Sequence, residues 1–138
     1  MVCSTLPVPL KKVWLRNEPA AASNARREVI LTARAWAIAE EIIDRLELCT
    51  SEIVTNAVQH APGSAIRLLL TRTDERLRVE VHDSNGRLPS AHTPDPYDES
   101  GRGLSLVAAS ADDHGAYLTN TGKVVWFDVI AWPKDLAA

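Results

Sequence analysis

The stretch Ser51-Glu52-Ile53-Val54-Thr55-Asn56-Ala57-Val58-Gln59-His60-Ala61 decides how this chain is read. It has the pattern of the C-terminal half of an amphipathic helix, and Pro62-Gly63 ends that helix directly afterwards. Glu52 and Asn56 stand four residues apart, so both project from one helix face. A carboxylate beside a side-chain carbonyl oxygen suits a general base next to a hard cation. Mg²⁺ takes oxygen ligands, and few of them come from protein when phosphates and water supply the rest. Glu and Asn at this spacing also occur on ordinary solvated faces. One detail argues for a purpose: Asn inside a helix costs roughly 0.5 kcal/mol or more against Ala.

Outward from this stretch, the helical pattern extends over residues 20–61, with Ile42, Leu46, Cys49, Ile53 and Ala57 on one stripe. That is long for one globular helix. Two helices are expected, with a break near residues 36–39, although no Gly or Pro marks it. Residues 11–16 predict a short first strand with Val13 and Leu15 on one face. Residues 1–10 carry Pro7 and Pro9 and read as a flexible tail, leaving residues 11–138 as a single domain. Downstream, Ile66–Thr73 and Arg76–Asp83 read as a hairpin turning at Asp74-Glu75. In its second strand Leu77, Val79 and Val81 face inward, while Arg76, Arg78, Glu80 and His82 face outward. Residues 102–112 are apolar and alanine-rich and predict a helix. Residues 116–119 are expected to pair with a strand at 123–131 across Asn120-Thr121-Gly122, with Val125, Phe127 and Val129 on one face.

The order strand, two helices, hairpin, helix, hairpin predicts an α+β fold. It is a two-layer sandwich of a mostly antiparallel sheet with helices packed on one face. Residues 84–100 fit no regular element and contain Pro89, Pro94 and Pro96. A loop this long in a compact domain is usually functional or disordered. Its place before a Gly-rich helix start suggests a lid over a ligand.

Composition bounds the function classes. A chain of 138 residues suits one domain with a real core, and 46% apolar with 24% charged residues is ordinary globular usage. A net charge of −3 gives no reason to expect direct nucleic-acid binding. There is no run of 18 or more apolar residues, and residues 1–12 lack a signal-peptide core, so no membrane span or export is expected. Cys3 and Cys49 lie far apart, which fits a reduced cytoplasmic compartment. His60, His82, His92 and His114 show no close paired spacing, which argues against zinc.

Two more motifs carry chemistry. Asp83-Ser84-Asn85-Gly86 stands at a strand end. A carboxylate there can accept a hydrogen bond from an exocyclic amine such as that of adenine. Asn and Gly tolerate positive φ, so the chain can turn close to a flat base. A plain Asp-initiated turn has the same sequence. Gly101-Arg102-Gly103-Leu104 stands at the start of the later helix, where open backbone N–H groups and the helix dipole favour an anion. A flexible loop end would look alike. Neither motif matches a P-loop, a Rossmann fingerprint or a nucleophile elbow. What is hard to reach by chance is their order: helix, strand end, long loop, helix start.

In that order the motifs resemble the GHKL ATPase superfamily, which includes gyrases and histidine kinases. More narrowly, they resemble the anti-sigma-factor serine/threonine kinases and their actinobacterial relatives. The resemblance runs roughly over residues 11–133. Residues 51–61 look like the family's N box, Asp83 onward like its first glycine box, and Gly101-Arg102-Gly103-Leu104 like its second. Gly122-Lys123-Val124-Val125-Trp126-Phe127 looks like its last strand.

The resemblance implies a Bergerat-type ATP site between sheet and helices, with ATP and Mg²⁺ as ligands. It implies Glu52 as catalytic base and Asn56 as the Mg²⁺ holder. It implies Asp83 as the adenine reader with Gly86 in its turn, and Gly101, Arg102, Gly103 and Leu104 at the phosphates. It implies a sigma factor and a STAS-type anti-anti-sigma protein as partners, and family members often form homodimers. Three positions depart from the pattern. Asn85 and Arg87 stand where the first box has glycines, and Glu99 stands where some family kinases carry an arginine.

Three functions follow for testing. The first is an ATP-dependent protein kinase that switches partners. The second is a nucleotide-gated binding module without catalysis. The third is an interaction domain that binds no nucleotide. A freestanding histidine kinase or a gyrase-like machine needs more chain than this. Arg26-Arg27 could face an acidic partner, although a solvated helix face explains them as well.

Overall fold

The computed structural model describes residues 6–85 and 106–133. In chain order these form β1 (Val8–Leu15), α1 (Ala21–Ala35), α2 (Glu40–His60), β2 (Ile66–Thr73), β3 (Arg76–Asp83), β4 (Asp113–Leu118) and β5 (Lys123–Ile130). Residues 106–110 are also helical. The strands make one five-stranded sheet in the order β1-β2-β3-β5-β4, antiparallel at every step. This is the expected α+β sandwich.

The β2–β3 hairpin has the expected bounds, with Asp74 at a φ of 55° in the turn. Two strands run longer than expected. β1 begins at Val8, so residues 8–10 of the expected tail are strand residues, with an irregularity between Pro9 and Lys11. The tail's prolines hid this, yet an edge strand tolerates proline because one side of its backbone needs no partner. β4 begins at Asp113, three residues before the expected 116. Of the expected helix at 102–112, residues 102–105 lie outside the described residues.

The break between α1 and α2 falls in the expected place, and its mechanism explains why no glycine marks it. Ala37 takes the left-handed conformation at φ 56°. Its N–H donates to the Arg34 carbonyl, and the Ile38 N–H donates to the Ala33 carbonyl at 3.0 Å. That is a Schellman ending with alanine in the position glycine usually holds. Burial of Ile38 against the core offsets the left-handed cost of roughly 1–2 kcal/mol. Trp36 and Trp132 meet edge-on at 6.2 Å, and the Trp132 indole donates to the Trp36 carbonyl at 3.1 Å. The corner is therefore tied to the end of β5.

The core lies between the helices and one sheet face. From α2 it takes Ile43, Leu46, Cys49, Ile53, Val54 and Ala57. The expected stripe holds except at its start, where Ile43 is fully buried and Ile42 only partly. From the sheet come Leu68, Leu70, Leu77, Val79, Val81, Phe127 and Val129. The opposite sheet face is polar and aromatic. The Arg67 guanidinium lies over Trp14 and donates to His82 Nδ1 at 2.9 Å, so the His82 Nε2–H donates to Glu80 at 2.8 Å. Arg78 lies over Trp126 at 3.8 Å and forks onto Asp128.

Cys49 is buried in this core, and burial first, then the Glu52 charge, pushes its thiol up to about 11 against the opposing pull of Arg45. Folded protein should therefore resist a thiol-directed maleimide at pH 8, while denatured protein reacts at Cys49. Peptide mass mapping checks this, and equal labelling in both states would refute it.

Candidate functional site

The site forms where the C-terminal end of α2 meets the C-terminal end of β3. Glu52 and Asn56 lie on consecutive turns of α2, and the helix runs unbroken through both. Glu52 is partly exposed, whereas Asn56 is buried at 9% exposure. One turn further on, the helix ends at His60.

Several polar contacts clamp that end to the sheet. The Asn17 amide nitrogen donates to the Ala61 carbonyl at 2.6 Å and to the Ser64 carbonyl at 2.8 Å. The Ser84 backbone N–H donates to Ser64 Oγ at 2.8 Å, and the Ser84 hydroxyl reaches the same oxygen at 2.7 Å. The Asn85 side-chain amide donates to the His60 carbonyl. Helix ends leave their last carbonyls without intrahelical partners, and the Asn85 and Asn17 amides satisfy those of His60 and Ala61. They also bond the end of α2, one turn past Asn56, to the turn that follows Asp83. Asn17→Ala should destabilise the fold by about 1–2 kcal/mol, since two carbonyls lose a donor. Urea unfolding measures it, and an unchanged midpoint would show that the clamp carries no energy.

Asp83 is 7% exposed and begins the turn, its Oδ1 accepting the Asn85 backbone N–H at 2.8 Å. The Lys123 ammonium also holds this carboxylate. Nζ stands 3.0 Å from Oδ2 and 3.2 Å from Oδ1. Only the Oδ1 contact has hydrogen-bond geometry, and Oδ2 accepts no hydrogen bond among the described residues. The Oδ2 contact is therefore charge pairing. Gly122, just before Lys123, packs against the Asp83–Ser84 backbone. A Cβ there would lie 2.6 Å from Ser84 Cα and 2.8 Å from the Asp83 carbonyl carbon.

Glu52 and Asn56 thus lie on consecutive turns of α2, and the end of that helix is bonded to the turn that Asp83 begins. Gly86, Gly101, Arg102, Gly103 and Leu104 lie outside the described residues, as do Arg87, Glu99 and most of the expected lid. Sequence reasoning missed four contributors: Asn17, Ser64, Gly122 as a packing residue, and Lys123 as the partner of Asp83. Asn17 and Ser64 are short polar residues in connections, with no spacing signal. Gly122 reads as a turn glycine, and a lysine opening a strand reads as a solvated end. Arg26 has also found a partner within the chain, donating to Ser51 Oγ at 2.6 Å.

Helices on one face of a five-stranded antiparallel sheet, with the polar end of a long helix beside a strand-end aspartate, define the class. Residues 15–129 match the family described as histidine kinase-like ATPase domain, and the chain belongs to that family. Its fold is the Bergerat ATPase fold, and membership implies ATP binding. Among solved structures it is similar to the RsbU and RsbW domains of Rv1364c from Mycobacterium tuberculosis. The TM-score is 0.67 at 18% identity, over 91% of this chain and 32% of that one. At that identity the likeness speaks for the fold. A second similar structure is the histidine kinase domain of a blue-light activated histidine kinase from Erythrobacter litoralis. Its TM-score is 0.49 at 28% identity, over 66% of this chain and 45% of that one. The signal transduction histidine-protein kinase AfsQ2 of Streptomyces coelicolor is 27% identical over 88 residues, 54% of this chain and 16% of that protein. The chain thus spans less than half of each relative's length, from 16% to 45%. No helix among the described residues is long and apolar enough to cross a membrane.

Proposed function

We propose that the chain is a cytoplasmic, anti-sigma-factor-like protein serine/threonine kinase. It binds Mg-ATP where α2 meets β3 and β5, and it phosphorylates a STAS-type anti-anti-sigma antagonist of the sigma factor it holds. The observation that carries this reading is the pair of buried polar side chains, Asn56 and Asp83, at one end of the two-layer fold.

The donor set fits magnesium arriving with phosphates. Among the described residues, no group of three or more His, Cys, Asp or Glu could hold a metal alone. One amide oxygen, that of Asn56, together with phosphate oxygens and water suits Mg²⁺, which rarely takes an all-protein cage. The ion, when bound, neutralises charge building on the phosphates. Glu52, one turn away on the same face and partly exposed, takes the proton from an incoming serine or threonine hydroxyl. Asp83 accepts from the exocyclic amine of adenine. Gly86, Gly101, Arg102, Gly103 and Leu104 are assigned to the base turn and the phosphate loop.

The likeness in fold to an RsbW domain supports a sigma factor and a STAS protein as partners, and a homodimer is the proposed assembly. A nucleotide-gated binding module without catalysis is the second reading. It is favoured by Asn85, which stands at a glycine position of the first box and uses its amide to cap α2. Incubation with γ-labelled ATP and the STAS protein that co-purifies with the chain separates the two. Label on a serine or threonine of that protein supports the kinase. ATP-dependent retention without label would replace it with the gated module.

A further inference from the structure

We infer that Lys123 is an internal competitor for the carboxylate that reads the base. The inference rests on the proposed ATP site and adds a residue that sets how tightly and how selectively that site takes a purine. An exocyclic amine recognised by Asp83 needs a carboxylate oxygen as acceptor. Oδ1 already accepts the Asn85 backbone N–H and the Lys123 ammonium, and Oδ2 stands 3.0 Å from the same ammonium. The Asp83 side chain has no exposed surface and that of Lys123 has 6%. The ion pair therefore covers the atoms the amine would use.

The surroundings decide which group can yield. The Asp83 backbone is pinned on one side by Gly122, where there is no room even for a methyl group. On the other side Ser84 is bonded twice to Ser64. Asp83 cannot withdraw. Lys123 ends in a point charge on a flexible four-carbon stem with three rotatable donors, so it can swing away and regain hydration. Removing one partner of a buried ion pair is costly when the other charge is left alone, so the ammonium yields only to a donor that takes its place at the carboxylate. The pair at this position acts as a gate: a purine with a well-placed amine displaces the ammonium, and a base without one does not.

The experiment measures Mg-ATP affinity by titration calorimetry for wild type, Lys123→Met and Lys123→Arg, all as the full chain. Lys123→Met keeps the stem and removes the charge. It should bind Mg-ATP about tenfold more tightly. Lys123→Arg keeps the ion pair and should bind no more tightly than wild type. In parallel, wild-type protein is treated briefly with acetic anhydride, and acetylation of Lys123 is read by peptide mass spectrometry. Saturating Mg-ATP should raise labelling at Lys123, because displacement exposes the amine. Unchanged or weaker affinity in a folded Lys123→Met, or labelling indifferent to nucleotide, overturns the inference while the ATP site stands. If neither wild type nor Lys123→Met binds ATP, the site reading and the competitor fall together. Should Lys123→Met fail to fold, with Asp83 left buried beside no cation, the labelling of wild type decides alone.

Discussion

Glu52→Gln is expected to abolish most phosphate transfer while leaving nucleotide binding and stability nearly intact. A positioned general base contributes about 10²–10⁴-fold to such a step, and glutamine keeps the size and the oxygen but cannot take a proton. Glu52 is partly exposed on α2, one turn from Asn56, so its loss opens no cavity in the core. Surface changes of this kind usually stay within about 0.5 kcal/mol of wild-type stability. The measurement is single-turnover transfer to the proposed STAS-type partner alongside ATP affinity for wild type and variant. Transfer by Glu52→Gln at the wild-type rate would remove Glu52 from the chemistry. Equal loss of binding and transfer would make it a ligand-holding residue instead. A built-in check lies in the core: Glu52 helps push the Cys49 thiol upward, so Glu52→Gln should make that thiol slightly more acidic.

Among the glycines of the described residues, Gly122 should tolerate alanine least. The added Cβ would meet Ser84 Cα at 2.6 Å and the Asp83 carbonyl carbon at 2.8 Å, with the Asp83 carbonyl oxygen closer still. These are backbone atoms of a strand end, not the tip of a side chain, so relief requires β3 and β5 to part where Asp83 pairs with Lys123. Overpacking of this kind costs about 1–3 kcal/mol, and a backbone clash belongs at the upper end. The same shift moves the Asp83 carboxylate, so Mg-ATP binding should be lost together with stability. Thermal unfolding with and without Mg-ATP tests both at once. A variant that melts like wild type and is stabilised equally by nucleotide would show that the contact is soft and Asp83 independent of it.

Much of this fold was legible in the chain because its elements declare themselves by period. The alternation Leu77, Val79, Val81 set the β3 faces, and the bounds of β2 and β3 agree with the structure residue for residue. The helix stripe likewise placed Leu46, Cys49, Ile53 and Ala57 in the core. The start of β1 was hidden because Pro7 and Pro9 read as tail, and proline is tolerated at an edge. The start of β4 was hidden because Asp113, His114 and Gly115 are weak strand formers, and pairing with β5 overrides local preference there.

The sequence by itself determined the order of elements, the two faces of α2 and the pairing of Glu52 with Asn56, because each depends on residues a few positions apart. Only the tertiary structure decided what Asp83 meets. Lys123 lies forty residues away and reaches it only because β5 runs antiparallel beside β3, with Asp83 opposite Lys123 in the register. Likewise Asn17 and Ser64 acquire their roles only when β1, α2 and β2 are brought to one end of the sandwich. Contacts of that reach leave no period in a sequence. They are set by strand register and packing, which the local pattern permits but does not choose.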